Sequence, residues 1–199
     1  MGIVKSMRIS VIVPVGDEKA WRHCRSSLEA SIGRYGGAVQ FEIVQCMDLE
    51  HKGVNVARNN GLSKAVGDWI AWVDADDAVA DNWANVIAQE VHTMDQDCGD
   101  VLSFGARLKS SRNRQYEICY LKVPGVVPAT DFLKDCLVDV GGSTWLWNKV
   151  FRRSLFDDLC FRGVTQEDFR IMPRVMSRAR HVRVIPDVIY EYNRPEGSL

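Results

Sequence analysis

At 199 residues the chain is sized for one ordinary domain. Its 46% hydrophobic and 26% charged residues exclude a disordered, collagen-like or low-complexity chain. Lys+Arg 25 against Asp+Glu 26 leaves a formal net charge of −1, so no strong basic field exists to grip a nucleic-acid backbone or an anionic membrane by charge alone.

In chain order, Arg8–Val15 is a β-branched run closed by Pro14 and reads as a buried strand. It does not read as a signal peptide, because Pro14 interrupts it and Asp17-Glu18 follow at once. Residues 19–32 place Trp21, Cys24, Leu28 and Ile32 at helical spacing, and Gly33, Gly36 and Gly37 end that helix. A second strand is expected at 41–46, a helix at 54–66 stopped by Gly67, and a third strand at 69–73 that runs into Asp74-Ala75-Asp76-Asp77. Strands alternating with helices over short connections predict an α/β fold, with a parallel sheet and helices on both faces. The second half is less regular. It is expected to hold a helix from Asp81 through Met94, strands at 100–108 and 116–123, a helix at 130–138 capped by Thr130, an apolar aromatic run at 145–151, a helix at 166–179 and a closing strand at 182–192. No apolar run reaches the roughly 18 residues of a membrane span. Six scattered cysteines lack any Cys-x-x-Cys and read as buried free thiols in a reducing, cytosolic setting.

The acidic cluster at 74–77 carries the most chemistry. Ligands of open parallel sheets collect at the carboxyl ends of strands, and carboxylates there are hard ligands suited to Mg²⁺ or Mn²⁺ bridging to phosphate oxygens. Taken alone, the cluster reads equally well as a solvated turn in which Asp77 or Asp81 caps the next helix. Its surroundings shift the balance. Ser10-Val11-Ile12-Val13-Pro14-Val15, the helix with Ala57-Arg58-Asn59, the Asp74-Ala75-Asp76-Asp77 strand end, Trp147-Asn148-Lys149 with Gln166-Glu167-Asp168, and Tyr190-Glu191-Tyr192-Asn193-Arg194 stand in one order along the chain. Together these five blocks closely resemble the family 2 glycosyltransferases of the GT-A fold.

The resemblance implies a GT-A-type, Rossmann-like, mostly parallel sheet, with a nucleotide-sugar half over about residues 1–80 and an acceptor half over about 81–199. It implies an inverting transfer from a nucleotide-diphospho-sugar, most often a UDP-sugar, to a glycan or lipid-linked saccharide. It makes Asp74 and Asp76 the holders of a divalent cation, Mn²⁺ or Mg²⁺, and of the donor. Asp168, with Glu167, becomes the group that deprotonates the acceptor hydroxyl. Asp48, Arg58, Pro14 and Val15 become donor contacts. The chemistry suits these residue types: a sugar hydroxyl needs a carboxylate base, and a departing nucleoside diphosphate needs a cation rather than a proton. Lys149 and Arg194 are candidates for an acceptor's phosphate or carboxylate. Trp147, with Trp145, Tyr190 and Tyr192, is a candidate platform for acceptor sugar, with core packing the competing role. The site would work in the cytoplasm or peripherally at the inner membrane face. A nucleotidyltransferase of similar fold and a non-catalytic remnant that still binds a sugar nucleotide are the alternatives.

Departures from the family pattern are concentrated after the second strand. A single Asp48 replaces the usual acidic pair, and Gly16-Asp17 replace the usual Tyr-Asn. Residues 49–53 are too few for the helix and strand that relatives insert there. The strand at 41–46 is therefore expected at the sheet edge, with an apolar composition that calls for a cover, either pairing in a homodimer or another segment of the chain.

Overall fold

The structure, a computed structural model, describes residues 6–48, 53–97, 99–110, 115–118, 124–138, 144–163 and 166–194. Strand β1 (Arg8–Val15) is followed by α1 (Glu18–Arg34), β2 (Gln40–Met47), α2 (Val54–Lys64) and β3 (Trp69–Trp72). The second half holds β4 (Ala78–Val79), α3 (Trp83–Gln96), β5 (Val101–Ser110), β6 (Gln115–Ile118), β7 (Gly125–Pro128), α4 (Ala129–Val138), β8 (Lys149–Arg152), a 3-10 turn (Arg153–Phe156), α5 (Glu167–Met176) and β9 (His181–Arg194). The strands form one sheet in the order β2-β1-β3-β8-β5-β9-β4, with β6 on β5 and β7 on β9. Parallel ladders β1–β2, β1–β3 and β5–β9 supply most of its paired residues, while β8, β4, β6 and β7 pair antiparallel.

The two-residue period of a strand explains the two cores. Ile9, Val11, Val13 and Val15 of β1, with Trp69 and Ala71 of β3, face Trp21, Cys24 and Leu28 of α1 and Trp83, Ile87 and Val91 of α3. Ile12, Ile70 and Trp72 point the other way, toward Ala57 of α2, Phe132 of α4 and Ile171, Met172 and Val175 of α5. The sheet is thus sandwiched, and β1 is buried along nearly its whole length. Gly61 lets α2 lie directly on the sheet, since a Cβ there would stand 2.2 Å from Ile12 Cγ2.

Cys24, Cys46 and Cys136 are buried free thiols and Cys160 is half-buried; Cys98 and Cys119 fall outside the described residues. Three local expectations need correction. Helix α4 begins at Ala129, so Thr130 lies inside its first turn rather than capping it. Helix α3 is preceded by Asn82, so neither Asp77 nor Asp81 is its cap. Strand β7 is unforeseen, because a four-residue, largely exposed segment ending in Pro128 carries no periodicity to detect.

Of residues 49–53, only Gly53 is described, and it stands directly before α2. Among the described residues β2 pairs with β1 alone, so it is the edge strand that the shortened connection demands.

Candidate active site

A cavity of about 420 Å³ opens at the carboxyl ends of β1 and β3. Pro14, Gly16, Arg58, Asp74, Asp76 and Glu167 line it. Its floor is built by strand ends, and its opposite wall by the first turn of α5. Gln166, just before that turn, holds a left-handed backbone (φ 56, ψ 38), uncommon for a residue other than glycine. That kink starts the helix abruptly at Glu167 and Asp168.

Arg58 sits at the centre of the charge arrangement. It is 4% exposed, on α2. Its Nη1 donates to Glu167 Oε1 and to Asp168 Oδ1, both at 2.7 Å, and its Nη2 lies 3.4 Å from Asp74 Oδ1. The guanidinium also stands 5.6 Å from the centre of the Phe161 ring. Residues 58, 74 and 167–168, far apart in sequence, are thereby joined through one planar fork. The Arg58 Nε is buried and has no hydrogen-bond partner among the described residues.

Asp168 accepts a second hydrogen bond, from the Leu146 N–H to Oδ2 at 3.3 Å. Burial pushes its carboxyl up to about 6, with Arg58 pulling the other way and Asp74 and Glu167 adding to the rise. A carboxylate in that range is poised to take a proton near neutrality. Glu167 faces the cavity directly, whereas Asp168 lies beside it and is less open.

The strand-end acids divide into different roles. Asp76 is exposed, yet partial desolvation and the neighbouring Asp74 push its carboxyl above the ordinary range. Asp77 is wholly buried: the Tyr190 hydroxyl donates to its Oδ2 at 2.7 Å and the Asn193 N–H to its Oδ1 at 2.8 Å. Burial, then Asp74, pushes Asp77 up to about 8. Tyr190 also accepts from the Asp74 N–H at 3.1 Å, and Asn193 Nδ2 donates to the Asp76 carbonyl at 2.9 Å. Strand β9 therefore clamps the Asp74–Asp76 turn from behind. Sequence reasoning missed this clamp; a Tyr and an Asn in a closing strand give no sign of what they face.

The remaining candidates separate clearly. Pro14 lines the cavity, while Val15 turns into the core and its carbonyl accepts from the Asp48 N–H at 3.0 Å. Asp48 stands at the end of β2 beside β1, where its Oδ2 accepts from the Gly53 N–H at 2.7 Å and ties off the short connection. Trp147 and Lys149 are corrections. Trp147 is 3% exposed, stacked on Trp145 (4.7 Å), Tyr190 (4.8 Å) and Tyr192 (5.3 Å), and belongs to the core. Lys149 has no exposed surface; its Nζ donates to the Trp145 carbonyl and Asn148 Oδ1, each at 2.8 Å, and burial pulls it down to about 8. Both belong to the support of the 145–148 turn that presents the Leu146 N–H to Asp168, and neither reaches the surface to meet an acceptor. Trp145 and Tyr192, which also stack on each other at 5.8 Å, are half-buried. The Arg194 backbone pairs with Ser110, and its side chain lies outside the described residues.

No group of three or more His, Cys, Asp or Glu able to hold a metal by itself occurs among the described residues. Asp74 and Asp76 nevertheless suit Mg²⁺ or Mn²⁺, which are commonly bound by one or two carboxylates and completed by phosphate oxygens and water.

A family model described as "Glycosyl transferase family 2" matches residues 34–159. No curated protein matches the chain significantly. Among solved structures, S. aureus TarS 1-349 in complex with UDP-GlcNAc is similar with a TM-score of 0.69 and 20% identity, covering 96% of this chain and 60% of that one. S. aureus TarS 1-349 in complex with UDP gives 0.66 and 19%, over 94% and 61%. A197 from STIV gives 0.52 and 15%, over 90% and 82%. At these identities the likeness is one of fold, and the chain spans well under two thirds of the TarS chains.

Proposed function

Because the chain belongs to glycosyl transferase family 2, we propose that it moves a sugar from a nucleotide-diphospho-sugar, of the UDP-sugar class, to a hydroxyl of a glycan acceptor with inversion. One observation carries the reading: Arg58 joins the acidic strand end at Asp74 to the carboxylate pair at 167–168 across a single cavity. A transferase needs both a place for a diphosphate and a base for a hydroxyl, and this cavity offers the two side by side. Structures of like fold in complex with UDP-GlcNAc and UDP support the donor class. Residues up to about 80 supply the donor side, and the remainder supply the base and its supports.

In this reading the donor's diphosphate lies along Asp74 and Asp76, beside Arg58, which lines the same cavity. Asp74 and Asp76 would hold the divalent cation, which neutralises charge on the leaving diphosphate. Asp168 takes the acceptor's proton as the new glycosidic bond forms. Arg58 and the Leu146 N–H fix both of its oxygens and so set the direction of that proton transfer. Glu167 shares Arg58 Nη1 with Asp168, and Asp74 lies at the other arm of the fork, Nη2. The displacement needs no enzyme nucleophile. Among the described residues no helix is long and apolar enough to cross a membrane. We place the work at a cytoplasmic or peripheral membrane location.

The test is thermal stabilisation and calorimetry with UDP-, GDP- and dTDP-sugars, with and without Mn²⁺. A ligand that binds only the native state must raise the melting temperature. Metal-dependent stabilisation by a UDP-sugar is expected; no response to any nucleotide sugar refutes the reading.

A further inference from the structure

A second cleft, of about 440 Å³, adjoins the donor cavity across Glu167, which lines both. Its character is opposite. The donor cavity carries Asp17, Asp74 and Asp76, whereas this cleft carries Arg162, Arg170 and Arg174 beside the half-exposed Phe169. In a chain of net charge −1, three guanidinium groups around one cleft are a local concentration. Among the described residues none of the three has a carboxylate partner, and Glu167, the one acid in the lining, is held by Arg58.

The cleft is built, not incidental. Arg170 and Arg174 stand one helical turn apart on the same face of α5. Arg162 faces them from a segment fixed on both sides. Asn59 accepts from the Phe161 N–H at 2.8 Å and donates to the Phe161 carbonyl at 3.0 Å, and Asn55 donates to the Gly163 carbonyl at 2.5 Å. Cys160 Sγ accepts from Arg162 Nε at 3.0 Å. Arg170 packs over Gly163, with its Cδ and Nε 3.4 Å from where a Cβ would stand.

We propose that this cleft binds an anionic group of the acceptor, a phosphodiester or a carboxylate on the saccharide, while a neighbouring hydroxyl reaches Glu167 and Asp168. The inference rests on the transferase reading above. An anionic acceptor approaching the donor cavity meets repulsion from its carboxylates. Beyond Glu167 that repulsion is replaced by three cations, and guanidinium forks match the planar or tetrahedral oxygen pairs of such anions. Phe169 offers an apolar face to the sugar ring beside them.

The experiment titrates the full chain, with and without UDP, with a hyaluronan tetrasaccharide, a glycerol-phosphate oligomer and neutral cellotetraose. The comparison is the double variant Arg170→Gln/Arg174→Gln, checked for an unchanged melting temperature. At least one anionic oligomer is expected to bind more tightly than cellotetraose, more weakly as salt rises, and about fivefold or more weakly in the double variant. UDP affinity is expected to stay within about twofold, because exposed charges outside the donor cavity are screened. Three results overturn the proposal: no preference for either anionic oligomer, equal binding by the variant, or Arg170- and Arg174-dependent binding to phosphatidylserine vesicles with none to the oligosaccharides. If UDP fails to bind while the arginine-dependent binding persists, the transferase reading falls and the anion cleft stands.

Discussion

Replacing Asp168 by Asn separates catalysis from stability in opposite directions. Burial raises this carboxyl from an ordinary 3.8 to about 6. Holding it ionised in the folded state at pH 7 therefore costs about 3 kcal/mol, at 1.36 kcal/mol per pH unit of difference. The sign follows from linkage. Below about pH 4 the group is protonated in both folded and unfolded chains and the cost is absent; it sets in as pH rises and is complete above about pH 6. Asn is neutral throughout and escapes it, but presents one oxygen where Asp168 presents two. If that oxygen stays on Arg58, the amide group meets the Leu146 N–H and one hydrogen bond is lost, about 1 kcal/mol. Asp168→Asn should thus be about 2 kcal/mol more stable than the parent at pH 7, with the advantage gone by pH 4. Transfer should fall by about 10² or more, with donor affinity within a few-fold. Urea melts at several pH values, paired with acceptor-dependent UDP release, measure both. A variant less stable at pH 7, or one whose advantage ignores pH, refutes the burial argument; a near-parental rate moves the base to Glu167.

Arg58→Met leaves Asp74, Glu167 and Asp168 facing one another without their shared cation. Breaking such a buried pair costs about 3–5 kcal/mol. Since Arg58 holds Asp168 down, the basic group in the pH–rate profile should titrate at higher pH in this variant; an unchanged melt and profile refute the central role of the fork. Asp76→Asn should abolish Mn²⁺-dependent UDP binding while leaving the melting temperature near the parent's, and undiminished metal-dependent binding by calorimetry refutes its place as the cation's anchor. The apolar edge strand β2 should be covered: hydrogen exchange should show its outward amides protected, in proportion to protein concentration if a second copy pairs there, or independently of it if the chain covers its own edge. Fast exchange at every concentration refutes a cover.

What the sequence disclosed and what it withheld differ by the range of the signal. Strand β1 could be placed residue for residue because eight residues carry both β-branched composition and a closing proline. The edge position of β2 followed from a chain-length argument, since five residues cannot hold a crossover. The Asp74–Asp76 and Glu167–Asp168 motifs were legible as types. That Arg58 binds them together was not, because a shared hydrogen-bond partner is a property of folding, and the matched motif says only that an arginine is wanted there. Lys149 shows the same limit from the other side. A lysine beside Trp147 and Asn148 looks like a surface cation awaiting an anion, and charge rules favour that reading. Instead it is buried and holds the turn that supplies the Leu146 N–H, so it supports the base by fixing that backbone. Asp77, read as a turn residue or helix cap, is likewise drawn inside by Tyr190 and Asn193. In each case a charged side chain spends its interactions on positioning the groups that face the cavity. Burial of the supporting charges gives the two cavity-lining acids, exposed Asp76 and half-buried Glu167, a rigid frame to work from.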